Sequence, residues 1–319
     1  MRNFLIILTI VLFSFAPIRN TFAVGEDISV NVIPENPHPY DPVSVELSSY
    51  TNDLNRSLIT WSVNGKVFLT GIGKNNIKFN LGENGTVADI NVGIRTEDGT
   101  SITKHILIQA TDIDLLWEAP DSFVPPFYRG KALPAREAFV KFVAIPNTNN
   151  FKIDNNTKNF VYTWKHNYEN VPDSSGFQKD SILISMDYLN QEENVSVIAQ
   201  SLSNQYGASA QMSITPFSPL LDFYKNSEIN GVDYSYSLSD GYSLSGATTI
   251  TAVPYFISPR SPRSPVLDYT WKLNGNEANA DKNNINIQTT GKGNGIIDVL
   301  IDNNSTLYQT IKRSLSLSL

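Results

Sequence analysis

The chain contains no cysteine. That excludes a disulfide framework, a thiolate metal site, a cysteine nucleophile and a lipid anchor on cysteine. Each domain must then rely on its hydrophobic core, which is feasible at ~90–100 residues. Histidine is also scarce: there are three, His38, His105 and His166. None has a neighbour at the HxH or HExxH spacing that holds a metal, and all three read as ordinary surface or strand residues. No Gly-x-Ser-x-Gly elbow, phosphate-binding loop or dinucleotide fingerprint occurs. Ser101-Ile102-Thr103-Lys104 matches Ser-x-x-Lys, but that motif needs a helical turn. On a strand, which this segment resembles, Ser101 and Lys104 point to opposite faces. The carboxylate pairs Glu192-Glu193 and Asp112/Asp114 sit at turns or strand starts, as solvated charges usually do. The chain is not expected to be an enzyme.

Charge is limited too. Charged residues make up 17% of the chain, with 24 basic against 31 acidic, for a net charge of −7. There is no basic stripe, and an acidic chain repels phosphate backbones, so nucleic acid is not an expected partner. Runs of Ala, Glu, Lys and Leu that favour helices are missing. Asn, Ser and Thr are abundant, and this balance favours strands and turns.

One long apolar run is present, at the N-terminus. Arg2 precedes Phe4 to Ile18, which is apolar apart from Thr9 and Ser14. Pro17 ends the run, and Thr21-Phe22-Ala23 offers small residues for cleavage after Ala23. Residues 1–23 are therefore expected to be an export signal. The run is short for a membrane span, so contact with a membrane is expected only through this segment if it stays uncleaved. Removal of the leader would change the net charge to −9. The mature chain is expected to be extracellular, on the cell surface or in a periplasm.

At 319 residues the chain has room for three domains of about 100 residues. A threefold repeat is visible around three tryptophans. The copies read Leu58-Ile59-Thr60-Trp61-Ser62-Val63-Asn64-Gly65, Phe160-Val161-Tyr162-Thr163-Trp164-Lys165-His166-Asn167 and Tyr269-Thr270-Trp271-Lys272-Leu273-Asn274-Gly275. The tryptophans are 103 and 107 residues apart. A second landmark follows each: Lys74-Asn75-Asn76-Ile77, Lys179-Asp180-Ser181-Ile182 and Lys282-Asn283-Asn284-Ile285. A third is an alternating strand at 87–94, 195–199 and 296–301, followed by a turn and one more strand. Early strands at 28–33 and 43–47, 113–117 and 139–145, and 220–224 and 248–255 complete about seven strands per copy. That count predicts an all-β chain of three tandem immunoglobulin-like sandwiches at 24–111, 112–216 and 217–319. Trp61, Trp164 and Trp271 are the expected structural core. The Thr-Trp-x-x-Asn-Gly strand, the Lys-Asn-Asn-Ile strand and the closing hairpin resemble PKD and related bacterial Ig-like domains, which occur in tandem on surface and secreted proteins. Leu115 to Ala119 with Pro125 to Lys131 resembles uncharacterised multi-domain exported proteins of small-genome bacteria, a likeness that carries no activity with it.

Copies two and three carry insertions between their first two main strands. The first, 120–134, contains Phe123, Pro125, Pro126, Phe127 and Tyr128. The second, 225–245, contains Tyr234, Tyr236 and Tyr242 and reads as a hairpin with a Ser239-Asp240-Gly241 tip. These aromatics either pack at domain junctions or present a platform for sugar rings or a peptide. The candidate platform is Trp117, Phe127, Tyr128 and Arg129. No cofactor is expected. Calcium is the ion that tandem extracellular β-domains use at their junctions, and Asp112 and Asp114 lie at the first one. Such a site needs several converging oxygens, so neither is assigned as a ligand. Asn55, Asn84, Asn155 and Asn194 begin Asn-x-Ser/Thr sequons, which matter only in a host that glycosylates exported proteins. The function expected is that of a structural or adhesive spacer with a protein or glycan partner at the cell envelope. The alternative is a carbohydrate- or peptide-binding protein that uses the aromatic insertions.

Overall fold

A computed structural model describes residues 28–148, 157–202, 206–289 and 291–318. The expected leader, the Asn155 sequon and the Asn204-Gln205 turn lie outside these residues. The chain divides into two compact units, one within Met1–Val32, Ser44–Lys78 and Asp89–Ile106, the other within Ile33–Val43, Phe79–Ala88 and Leu107–Leu319.

Among the described residues the regular elements are all strands apart from two short 3-10 turns. The first repeat has β1 (Ile28–Ile33), β2 (Pro42–Ser49), β3 (Leu58–Val63), β4 (Lys66–Ile72), β5 (Asn76–Asn80), β6 (Val87–Arg95) and β7 (Ser101–Gln109). The second has β8 (Asp112–Glu118), β9 (Phe139–Asn147), β10 (Phe160–His166), β11 (Glu169–Asn170), β12 (Gly176–Phe177), β13 (Ser181–Ser185), β14 (Glu193–Ser201) and β15 (Gly207–Ile214). The third has β16 (Leu220–Ser227), β17 (Gly231–Val232), β18 (Tyr242–Ser243), β19 (Ala247–Tyr255), β20 (Leu267–Leu273), β21 (Asn276–Glu277), β22 (Asn284–Gln288), β23 (Asn294–Asn303) and β24 (Thr310–Ser318). Each repeat contributes two sheets. These are β1-β2-β5 with β4-β3-β6-β7, β13-β9-β8 with β11-β10-β14-β15, and β17-β16-β19-β22 with β18-β24-β23-β20-β21. The fold is three tandem immunoglobulin-like sandwiches.

Period-two patterning makes these sheets. β14 alternates buried and partly exposed side chains along its length, as a strand with one face on a core must. The core of the second repeat gathers Phe142, Tyr162, Trp164, Ile182 and Val197 from both of its sheets. The third gathers Phe223, Ile250, Trp271, Ile285 and Val299 in the same manner. Trp61, Trp164 and Trp271 are buried at 0%, 0% and 3% exposure.

A buried indole N–H needs an acceptor. In every copy it finds the same one. The ring nitrogens of Trp61, Trp164 and Trp271 donate to the backbone carbonyls of Lys74, Lys179 and Lys282 at 2.7, 2.8 and 2.7 Å. These lysines open the second sequence landmark, so the two landmarks are joined by one bond. The Asn three residues beyond each tryptophan is the other constant. Asn64, Asn167 and Asn274 sit at φ 51°, 47° and 51°. Their side-chain oxygens accept the backbone N–H of Asp89, Asn194 and Ile296 at 2.9, 2.9 and 2.8 Å. Each therefore turns the chain and caps the facing strand.

These turns are two-residue hairpin loops, flanked by the pairs Val63↔Lys66, His166↔Glu169 and Leu273↔Asn276. Both loop residues need positive φ, which favours Asn-Gly. Copies one and three have Gly65 and Gly275 at the second position, whereas copy two has Tyr168 at φ 70°, 75% exposed. Tyr168→Gly is expected to stabilise the chain by up to about 1 kcal/mol, because left-handed strain is relieved and little buried surface is lost. Urea denaturation measures it; a loss of stability would show that the Tyr168 ring packs productively.

Within the second unit, polar contacts join the second and third repeats. The Glu137 carboxylate accepts the N–H groups of Leu307 and Tyr308 at 2.7 and 2.9 Å. The Gln309 side-chain amide donates to the Arg136 carbonyl at 2.7 Å, and Ser258 Oγ donates to Asp121 at 2.9 Å. The rings of Tyr188 and Tyr308 stack with centroids 5.7 Å apart. Phe123 N–H donates to Ile257 O, and Phe256 N–H donates to Phe123 O, at 2.9 and 2.7 Å. The 120–134 insertion is thereby hydrogen-bonded to the end of β19.

Candidate functional site

The 120–134 insertion builds its aromatic tip from a tight turn. Tyr128 N–H donates to Pro125 O at 3.3 Å, closing a four-residue turn with Pro126 and Phe127 at its centre. The ring of Pro126 holds its φ near −65°, and Phe127 stands at φ 66°. A negative φ followed by a positive one is a type II turn, whose third position favours glycine. Phe127 occupies that position and is 91% exposed. Tyr128 turns the other way. Its ring meets Tyr255 and Phe256 edge-on at 5.8 and 5.9 Å between centroids. Its hydroxyl lies over Gly130, where a Cβ would approach it to 2.5 Å. Arg129 is exposed. Trp117 is half-buried against the second core, and the Lys131 ammonium sits 3.4 Å from its ring centroid. Burial pulls the Lys131 pKa down, against the pull of Glu118. The four residues of the sequence-derived platform are thus in different settings, and Phe127 is the one that lines the groove described next.

The 225–245 insertion is not one hairpin. Its first part, β17, pairs with β16. The chain then crosses to the other sheet, where β18 runs parallel to β24. Leu238 and Leu244 are buried in the third core at 1% and 6% exposure, and that burial dictates the crossing. Asp240 and Gly241, read from sequence as the tip of a hairpin, are bound to Ser316: Asp240 accepts its N–H at 2.9 Å, and Gly241 N–H donates to its carbonyl at 3.0 Å. The 230–236 part is left beside Phe127. Together they enclose a groove of about 630 Å³ with Lys225, Asn230, Asp233, Tyr234, Ser235 and Tyr236 in its walls. Tyr236 is 58% exposed. Tyr234 leans into the fold against Tyr224, 5.4 Å away, and Tyr224 shares a 2.5 Å hydroxyl contact with Tyr255. Tyr128, Tyr224, Tyr234 and Tyr255 therefore form an aromatic layer, while Phe127 and Tyr236 remain open to solvent. Burial raises the hydroxyl pKa values of Tyr234 and Tyr255, so both stay neutral donors. Asp233 is held below the usual carboxylate range by hydrogen bonds from Ser235 and is ionised at neutral pH. The groove thus offers two open rings, amide and hydroxyl groups, one cation and one carboxylate.

A second constellation escaped the sequence reading. Glu192 is exposed, but Glu193, read with it as a solvated charge, is buried with 1% of its side chain exposed. Its carboxylate accepts from Asp187 N–H at 2.9 Å, His166 Nε2 at 2.7 Å, Asn167 at 2.5 Å and Asn190 at 3.2 Å. Burial alone would raise its pKa; the four donors outweigh burial and hold it low. The cluster ties β10, β14 and the 187–190 turn together, so this carboxylate is structural. The other histidines also face carboxylates, His105 at 2.9 Å from Asp89 and His38 at 3.6 Å from Asp112. Asp112 and Asp114 lie on β8, the latter exposed. Among the described residues no group of three His, Asp or Glu side chains is placed to hold a metal ion, and no helix is long and apolar enough to cross a membrane.

No protein-family model matches the chain, and no curated protein matches it in sequence. Solved structures do. The fibronectin(III)-like modules of Clostridium thermocellum CbhA share 11% identity at a TM-score of 0.28, covering 59% of this chain and 94% of theirs. The three N-terminal domains of the bacteriophage RB49 Highly Immunogenic Outer Capsid protein share 11% at 0.26, covering 91% and 97%. The central fibronectin-III array of RIM-binding protein shares 12% at 0.30, covering 91% and 95%. At these identities and scores the likenesses say nothing about function.

Proposed function

We propose that this chain is a non-enzymatic, extracytoplasmic interaction array that takes its partner in the groove between its two insertions. The observation that carries this reading is convergence. The first repeat makes the same sandwich with only a short loop after its first strand, so the sandwich as such does not require an insertion, although Leu238 and Leu244 of the second one are used in the third core. They are about 100 residues apart in sequence, yet Phe127 of one and Tyr234 and Tyr236 of the other line one groove. The carboxylates that cluster elsewhere are engaged: Glu193, Glu137 and Asp121 each accept several hydrogen bonds from this chain. The apolar leader pattern and the lack of cysteine suit a chain that works outside the cytoplasm without disulfides.

Because the chain has no cysteine, Ser235→Cys supplies a single thiol on the groove wall for an environment-sensitive fluorophore. Screened against soluble cell-envelope polysaccharides and a random-peptide library, the labelled protein is expected to give a saturable signal with at least one probe. The proposal is overturned if none of them gives a saturable signal.

A further inference from the structure

Resting on that reading of the groove, we infer that its ligand is an uncharged oligosaccharide. Two open aromatic rings, Phe127 at 91% and Tyr236 at 58% exposure, suit the apolar C–H faces of pyranose rings. The groups between them suit sugar hydroxyls, which both donate and accept: Asn230 carries both functions, Ser227 Oγ accepts the Asn230 N–H and keeps its own proton to donate, Ser235 Oγ donates to Asp233 and keeps its lone pairs to accept, Lys225 donates and the ionised Asp233 has further acceptor capacity. Lys225 and Asp233 are the groove's two charges and cancel, and no arginine lines it, so nothing selects a phosphate, a sulfate or a uronate. The volume of about 630 Å³ lies in the range of small-ligand sites and has room for a few sugar rings.

A peptide that binds by adding a strand fits less well, because it needs a free edge, whereas a proline-rich peptide that docks on aromatic rings is an outcome the peptide arm of the test reads. The edge strand at this groove is β17, which is two residues long and offers almost no ladder. The backbone at Phe127 supports the groove as a binding site for either class. A phenylalanine at φ 66° in a glycine position, with nearly all its surface in water, contributes little to the fold that holds it.

The test is isothermal titration of the full chain with neutral hexasaccharides of glucose, xylose, mannose and N-acetylglucosamine, with hexagalacturonate and the peptide library as further arms. We expect one neutral hexasaccharide to bind, at least tenfold more tightly than hexagalacturonate. Phe127→Gly and Tyr236→Ala should each weaken it about tenfold, and Tyr168→Gly should leave it unchanged. Binding of peptides alone, lost in Phe127→Gly, would overturn the ligand class while the groove stands. Saccharide binding that ignores both groove variants would overturn the site. No binding by any probe, with no response from the Ser235→Cys reporter, would overturn both.

Discussion

Replacing Trp164 by alanine is expected to destabilise the second sandwich by about 3–5 kcal/mol, the range for removing a large buried aromatic. Trp164 is fully buried and packs among Phe142, Tyr162, Ile182 and Val197, contributed by both sheets, so no single strand can move in to fill the space. Trp164→Phe separates the two parts of that cost. It keeps most of the apolar volume but removes the indole N–H, leaving Lys179 O without its 2.8 Å donor. It should cost about 1–2 kcal/mol. Urea denaturation of both variants measures the difference. Equal losses would mean that the hydrogen bond, and not the packing, dominates. The same pair at Trp61 and Trp271 should behave alike, because the bond recurs in all three repeats.

Glu193→Ala is expected to cost about 2–4 kcal/mol, because it leaves four donors without their acceptor in a buried site. The native group also sets a pH dependence. Its pKa in the folded chain is lowered from the ordinary value of 4.5. The folded state therefore binds the proton less readily than the unfolded state. The stabilisation is fully present above pH 4.5 and is lost as pH falls through the lowered value. Melting temperatures between pH 3 and 6 should drop more steeply for the native chain than for Glu193→Gln. Parallel curves would show that other carboxylates carry the acid response.

Much of the architecture was legible because its determinants are local. The alternating segments at 28–33 and 113–117 are strands, since period two is written in neighbouring residues, while 248–255, buried without a break from Ile250 to Pro254, shows itself through its run of Thr, Ile and Val. The Trp-x-x-Asn spacing was readable for the same reason, and its meaning, a turn residue capping the facing strand, appears only once the strands pair. β4 was less visible. Its Val67, Phe68 and Ile72 are apolar but at least half exposed, so no core imposes a burial pattern on it.

What escaped the sequence depends on contacts at long range. Nothing around Gln191-Glu192-Glu193 signals that Glu193 turns inward, because its donors come from 166, 167, 187 and 190. The 225–245 insertion looked like a single hairpin because Ser239-Asp240-Gly241 is good turn chemistry. Ser316 on β24, 76 residues away, engages it instead. The candidate surface was half legible. Composition marked both insertions as aromatic, but only the fold shows that Tyr128 packs edge-on against Tyr255 and Phe256 and Tyr234 leans on Tyr224, while Phe127 and Tyr236 stand open to solvent.

On the proposed reading, Phe127 is kept at a glycine position for a ligand and not for the fold. The most direct measurement pairs urea denaturation with binding of the hexasaccharide panel for Phe127→Gly beside the native chain. Stability is expected to be unchanged to within about 1 kcal/mol, or raised, because the strain relieved offsets the flexibility of glycine, together with lost binding. A clear loss of stability with binding intact would make Phe127 a packing residue and overturn its assignment to a ligand.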